Sequence, residues 1–304
     1  MMRIHRNNVS TDHPRVDWSE RALESSVDRT KPGPDGIGTI APLVGTGKVI
    51  PAHVPRTVAS FIGGFKRSHS AFKWGSFAKL NNGSHYGFIE QGVVLSRLIP
   101  GLSTVIINDK NEMFLKTWTS EDDLSILPTI KHARQNGVPL IDGLEVIATP
   151  VTNVTPSPVP GSELNTEPVT VPPKTLPIPG ALVNQWGPGN WSGSIDSKLR
   201  ALRAGLCQQP QSGGDYLIYG YFSTATPNAM ARVFQAYGCD HALHLDMNAL
   251  EHTYFAVYEK SGENFMTQHL IKGMHVLDSK YQGKSLPRFL GSADNRDFFY
   301  LMRK

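Results

Sequence analysis

Gly238-Cys239-Asp240-His241-Ala242-Leu243-His244-Leu245-Asp246-Met247-Asn248 decides how this chain is read. Its centre, residues 242–245, is a short apolar run of strand length that follows a turn glycine and ends on a carboxylate. Just upstream lies a well-punctuated helix, with Thr226 as N-cap, Pro227 at the first helical position and Gly238 past the end. Met230, Val233, Phe234 and Tyr237 share one of its faces and form the expected core stripe. Further upstream, residues 199–207 and 216–222 read as paired strands joined by Gln211-Ser212-Gly213-Gly214. Strand, strand, helix, strand is an α+β order.

The rest of the chain extends this pattern. Residues 104–108 and 112–118 flank Asp109-Lys110-Asn111 as a β-hairpin. Ser120 is the expected N-cap of a helix whose first turn holds Glu121, Asp122 and Asp123; Pro128 interrupts it and it ends near Asn136-Gly137. Residues 57–61 read as a strand entering Gly63-Gly64, a pair that permits a tight turn or a close backbone approach to a ligand. Further strands are expected at 253–258 and Phe298–Met302. Residues 149–180 are crowded with proline and predict an extended surface insertion. Residues 1–50 are polar, with one helix-like stretch at 18–27, and read as a lead-in to a domain spanning 51–304. The expected architecture is a mixed β-sheet with packed helices in a single α+β domain.

Composition sets limits on function. Of the 304 residues, 39% are apolar and 18% charged, as in ordinary globular proteins. No apolar run nears the roughly 20 residues of a membrane-spanning helix. The net charge of +4 comes from scattered residues, such as Lys66-Arg67, with no basic stripe, so no nucleic-acid partner is expected. Gly45-Thr46-Gly47-Lys48 lacks both the glycine spacing and the following Ser/Thr of a P-loop, and is rejected as one. The N-terminal residues carry charge with no hydrophobic stretch after them, so no secretory signal is expected. Cys207 and Cys239 are too few for a structural zinc site; they form one disulfide or stay as two buried thiols.

Two segments together resemble the phosphodiester glycosidase family. The first is Ala59-Ser60-Phe61-Ile62-Gly63-Gly64-Phe65-Lys66 with His69 and Trp74-Gly75, and the second is residues 238–248. The family carries an Asn-Gly-Gly-Phe-like turn early and a Leu-Asp strand end late, after a helix closing on Gly-Cys or Gly-Ala. Lesser matches lie between in the right order: the 104–118 hairpin, Ala133-Arg134-Gln135-Asn136, Leu140-Ile141-Asp142-Gly143 and Leu202-Arg203-Ala204-Gly205. The similarity spans about residues 40–260. Matches on both sides of the proline-rich stretch make that stretch an insertion within one domain.

The resemblance implies hydrolysis of a sugar–phosphate diester, as in the enzyme that uncovers mannose 6-phosphate. Bacterial relatives are linked to exopolysaccharide and cell-envelope glycans, which implies a glycan substrate and a periplasmic or extracellular setting. Two departures stand out: Ile62 replaces the family's Asn, and Met247-Asn248 replaces the commoner Gly-Gly. The alternative is a non-catalytic member of the same fold that binds polysaccharide or protein.

Cleaving such a diester requires positive charge opposite the phosphate and a group that manages protons at the glycosidic oxygen. Asp246 is the first catalytic candidate, at a strand end where open sheets gather sites; its plain reading is a turn cap. Glu251 is its candidate partner carboxylate and His69 a candidate acid or base. Arg203 is the candidate phosphate ligand, or else half of a buried ion pair with Asp246. Gly63, Gly64, Lys66, Arg134, Asp142 and Asn248 complete the candidate substrate-binding set. His241, His244 and His252 surround Asp246 but match no established ligand spacing, so neither a metal nor another cofactor is expected.

Overall fold

A computed structural model describes residues 1–5, 47–64, 87–96, 98–143, 199–262, 264–294 and 296–304. Three antiparallel sheets carry the fold. The first is ordered β1 (Met2–His5), β16 (Phe298–Met302), β2 (Thr57–Ile62), β12 (Phe255–Ser261) and β13 (Asn264–His269). The second is ordered β10 (Tyr216–Ala225), β9 (Ala201–Gln209), β11 (His241–Met247) and β8 (Ile141–Asp142). The third is ordered β4 (Val93–Ser96), β3 (Phe88–Glu90), β7 (Ile130–Gln135), β5 (Ser103–Asn108) and β6 (Met113–Thr117). A small ribbon pairs β14 (Ser279–Tyr281) with β15 (Lys284–Leu286).

The α+β class holds in a sheet-rich form. Every pairing between these strands is antiparallel, where a mixed sheet is expected from the sequence. Among the described residues two α-helices accompany them, α1 (Asp122–Ser125) and α2 (Pro227–Ala236). No helix among the described residues is long and apolar enough to cross a membrane.

Helix α2 forms where its punctuation places it. Thr226 Oγ1 accepts from Ala229 N at 3.2 Å, and Gly238 takes φ +73° past the helix end. Met230 and Phe234 are fully buried against β9, whose Gly205 leaves room for both rings and chains. Val233 and Tyr237 are exposed, so the core stripe is narrower than the spacing predicts.

Three expectations are corrected. Ser120 caps nothing: Thr119 N and Oγ1 instead donate to the Asp122 carboxylate, and α1 lasts one turn. The helix expected to run towards Asn136 becomes β7, whose buried Ile130 and His132 alternate with exposed Lys131 in strand fashion. The N-terminal lead-in contains the strand β1, since Met2 and Ile4 are buried and Met2–His5 pairs with β16. The 18–27 stretch and the proline-rich 149–180 lie outside the described residues.

The main core joins all three sheets through Phe61, Phe88, Val105, Leu206, Leu243, Tyr254 and Phe298. Within it, Phe61 stacks on Phe255 (5.8 Å) and Phe299 (5.2 Å). A second cluster sits under α2 and includes Cys207 and Cys239. These cysteines form a disulfide with a Cα–Cα distance of 5.9 Å, resolving the two sequence alternatives in favour of the bridge.

Candidate functional site

Strand β11 carries Asp246 into a buried polar cluster. Along β11 the pairing with β9 runs His244 to Gly205 and then Met247 to Arg203, a shift that places one extra residue in β11. Such a bulge re-aims side chains. It breaks the simple alternation that would put His244 and Asp246 on one face of the strand.

Asp246 is buried, and both carboxylate oxygens are held. Oδ1 accepts from Met247 N at 2.8 Å, and Oδ2 accepts from Arg296 Nη1 in a buried ion pair. The second arm of Arg296, Nη2, points at His252 Nε2. On the other side of that ring, Nδ1 faces the Met247 carbonyl oxygen, which only a protonated nitrogen can satisfy. The geometry therefore assigns the Nδ1–H tautomer, with the Nε2 lone pair accepting from Arg296. Asp246, Arg296 and His252 form one continuous array closed on the backbone of Met247. The expected association of Asp246 with His252 is present, with a guanidinium between them.

Arg203 stands one strand away, opposite Met247. Its side chain is 0% exposed, and its donors reach the carbonyls of Ala225 (Nε, 2.9 Å) and Leu199 (Nη2, 3.1 Å). Nη1 lies 3.2 Å from Met247 Sδ and 3.4 Å from His244 Nε2. Among the described residues no carboxylate lies within ion-pairing distance, so the anticipated Arg203–Asp246 pair does not form. Burial pushes the Arg203 guanidinium down to about 10, which leaves it charged at neutral pH. Burial, reinforced by the Arg203 charge, holds His244 well below the ordinary histidine range, so it is neutral.

Gly63 and Gly64 pack on a second cluster. Gly63 N donates to the Asp297 carbonyl at 2.7 Å. At Gly64, with φ +142°, a Cβ would fall 2.5 Å from both Arg134 Nη1 and Asn136 Oδ1. The close approach expected of this turn is thus made to the protein's own groups. Arg134 Nη1 donates to Asn136 Oδ1 (2.6 Å) and Gln135 O (2.9 Å), and Nη2 pairs with Asp297 at 3.3 Å, all buried. Because Arg296 and Asp297 are neighbours, a single dipeptide ahead of β16 ties the two clusters together.

Other candidates fall elsewhere. Asp142 Oδ1 lies 3.4 Å from His241 Nδ1, while His241 Nε2 is 2.7 Å from Ser103 Oγ. The His241 contact holds the Asp142 carboxyl below its usual value. Ser103 is fully buried, and the trio clasps β5 to β8 and β11. Asp142 is therefore apart from the Asp246 array. Glu251 is exposed, its Oε1 3.2 Å from His252 Nε2 at the rim of that array. Asn248 is an exposed turn residue with φ +83°, its N donating to Leu202 O at 2.8 Å. Ile62 is buried in the main core. Lys66 and His69 lie outside the described residues. No group of three or more His, Cys, Asp or Glu converges as a metal site among the described residues.

Sequence reasoning missed Arg296 and Asp297. Their partners, Asp246 and Arg134, are 50 and 163 residues away, beyond any local pattern. The available signal was an Arg-Asp pair directly before an apolar, aromatic strand, where charges ordinarily do not sit.

No family model and no curated protein sequence matches the chain. Among solved structures, it is similar to the zebrafish N-acetylglucosamine-1-phosphodiester alpha-N-acetylglucosaminidase catalytic domain, auto-inhibited by its pro-peptide. The match covers 90% of this chain and 71% of that one, at 9% identity and a TM-score of 0.41. That is a distant structural relationship.

Proposed function

We propose that this chain is a hydrolase of sugar–phosphate diesters, acting on an envelope or secreted glycan at the Asp246–Arg296–His252 array. The observation that carries the reading is the buried guanidinium of Arg203, which has no carboxylate within ion-pairing distance among the described residues and stands one strand away from the Asp246–Arg296 pair. It stays charged at neutral pH, while His244 beside it is neutral. A phosphodiester carries the single negative charge that would balance it. Guanidinium donors also suit phosphate oxygens better than an ammonium would.

In this reading Arg203 and Arg296 stabilise the phosphate as it departs from the anomeric carbon. Asp246 faces the developing oxocarbenium charge, and the Nε2 lone pair of His252 takes up a proton once Arg296 swings to the phosphate. Glu251, beside His252 at the rim, supplies the second carboxyl group. Gly63, Gly64, Arg134 and Asp297 shape the adjoining wall, with Lys66 and His69 following the same turn in sequence. The ordered motifs along the chain support this reading, and the disulfide agrees with an oxidising compartment outside the cytoplasm.

A second reading, a glycan-binding protein on the same fold, is favoured by one observation: apolar Ile62 is buried where the family has Asn. The test is hydrolysis of a panel of glycosyl-1-phosphodiesters by wild type, Asp246→Asn and Arg203→Met. The enzyme reading expects turnover in wild type and its loss, by 1,000-fold or more, in Asp246→Asn of unchanged fold. Saturable binding without turnover across the panel would establish the second reading instead.

A further inference from the structure

Behind the wall of this site lies an apolar cleft of about 330 Å³. Phe61, Leu206, Leu217, Tyr219, Phe255 and Leu270 line it, with three more apolar side chains from β1, β6 and β16. Its volume falls in the range of ligand pockets, roughly 300–1,000 Å³. It is about twice the roughly 150 Å³ of an apolar cavity known to admit benzene. The side chains that line it are all apolar or aromatic, and the single hydroxyl among them, that of Tyr219, already donates to Thr253 O at 2.9 Å. Leu270, at the mouth, is 46% exposed, and Leu217, Tyr219 and Phe255 are half-buried, so the cleft opens to solvent.

The cleft and the polar array share their walls. Tyr219 is bonded to Thr253, the residue after His252, and burial together with the nearby Asp246 charge raises its hydroxyl well above the usual range. Phe61 lies two residues before Gly63, on the strand that leads into the glycine turn. An apolar slot thus abuts a polar array that holds a guanidinium group, which is the arrangement an amphiphile requires.

We propose that the cleft takes the hydrocarbon chain of the substrate's aglycone, so that the substrate is a sugar joined through phosphate to a lipid alcohol. This rests on the hydrolase reading above for the polar half. The cleft half stands on its own lining, whose apolar side chains favour an alkyl or prenyl chain over a sugar or a peptide backbone, either of which needs more hydrogen-bond partners than these side chains offer. Each methylene entering the cleft is worth about fourfold in affinity.

The test uses two readouts on the full chain. The first is binding of the neutral fluorophore N-phenyl-1-naphthylamine, displaced by octyl phosphate or by butyl phosphate. Wild type is expected to bind the probe saturably, with octyl phosphate displacing it at a concentration at least tenfold below butyl phosphate. Leu217→Trp, which narrows the cleft from a half-buried position, and Leu270→Gln are expected to weaken both by tenfold or more while circular dichroism and melting stay unchanged. The second readout is the KM for octyl against methyl glycosyl-1-phosphodiesters. Leu217→Trp is expected to raise only the octyl KM, and Asp246→Asn to abolish turnover of both while leaving probe binding intact. No saturable probe binding, or equal displacement by butyl and octyl phosphate, overturns the cleft assignment whatever the hydrolysis result. Chain-length-dependent binding with no turnover of either substrate leaves the cleft as a lipid site and removes the hydrolase reading.

Discussion

Arg296→Met is the substitution that most sharply probes the Asp246 array. In the native protein Asp246 and Arg296 are 3% and 6% exposed, and each is the other's charge partner. Methionine keeps most of the side-chain volume and removes the cation. Asp246 then retains only the 2.8 Å bond from Met247 N, and His252 Nε2 loses its donor. Removing one member of a buried pair costs about 3–5 kcal/mol, mostly because the survivor is an uncompensated buried charge. Replacing both members removes that penalty. Asp246→Leu combined with Arg296→Met is therefore expected to lie within about 1–2 kcal/mol of wild type, so the coupling energy is at least about 4 kcal/mol in favour of the pair. Urea denaturation followed by circular dichroism at neutral pH measures all four corners of the cycle. Loss of less than 1 kcal/mol in Arg296→Met, with additive effects in the double variant, would refute the claim that these groups are paired in a low-dielectric setting.

Three further outcomes are expected. Gly64→Ala places a Cβ 2.5 Å from Arg134 Nη1 at φ +142°, so it should cost at least about 2 kcal/mol in urea, whereas the same change at solvent-facing Gly213 should be near neutral. Cys207 and Cys239 close a loop with a sequence separation of 32, and replacing both by Ala should cost about 3–4 kcal/mol; an unchanged denaturation midpoint would show that the bridge does not form. The hydrogen bond from His241 holds the Asp142 carboxyl below the ordinary aspartate range, so its contribution is present above about pH 4 and is lost as pH falls through the lower, folded value. Asp142→Asn should therefore be less stable than wild type at pH 7, and the gap should close in acid; a gap that widens in acid would reverse the assigned sign.

Legibility in the sequence followed the range of each interaction. The β9–β10 hairpin and α2 could be read because their signals are local: a glycine-rich turn, an N-cap, a proline and a terminal glycine. The segment from Ile130 to Gln135 misled because three consecutive acids before it mimic a helix start. Its strand identity comes from pairing with β3 and β5, which no local propensity encodes. Asp246 stood out as a carboxylate ending an apolar run. Arg296, its partner, did not, because the sequence distance between them conceals a contact that only the packing of β11 against the start of β16 creates. Arg203 was identifiable as an arginine in a strand, yet that it has no carboxylate partner among the described residues became visible only with the fold.

The most direct test of the central proposal follows oxygen. Hydrolysis of a glycosyl-1-phosphodiester in ¹⁸O-labelled water, with products read by mass spectrometry, distinguishes attack at the anomeric carbon from attack at phosphorus. A phosphodiester glycosidase predicts the label in the released sugar and unlabelled phosphomonoester. Label in the phosphate would contradict it, and would assign the Asp246–Arg296–His252 array to phosphoryl chemistry instead.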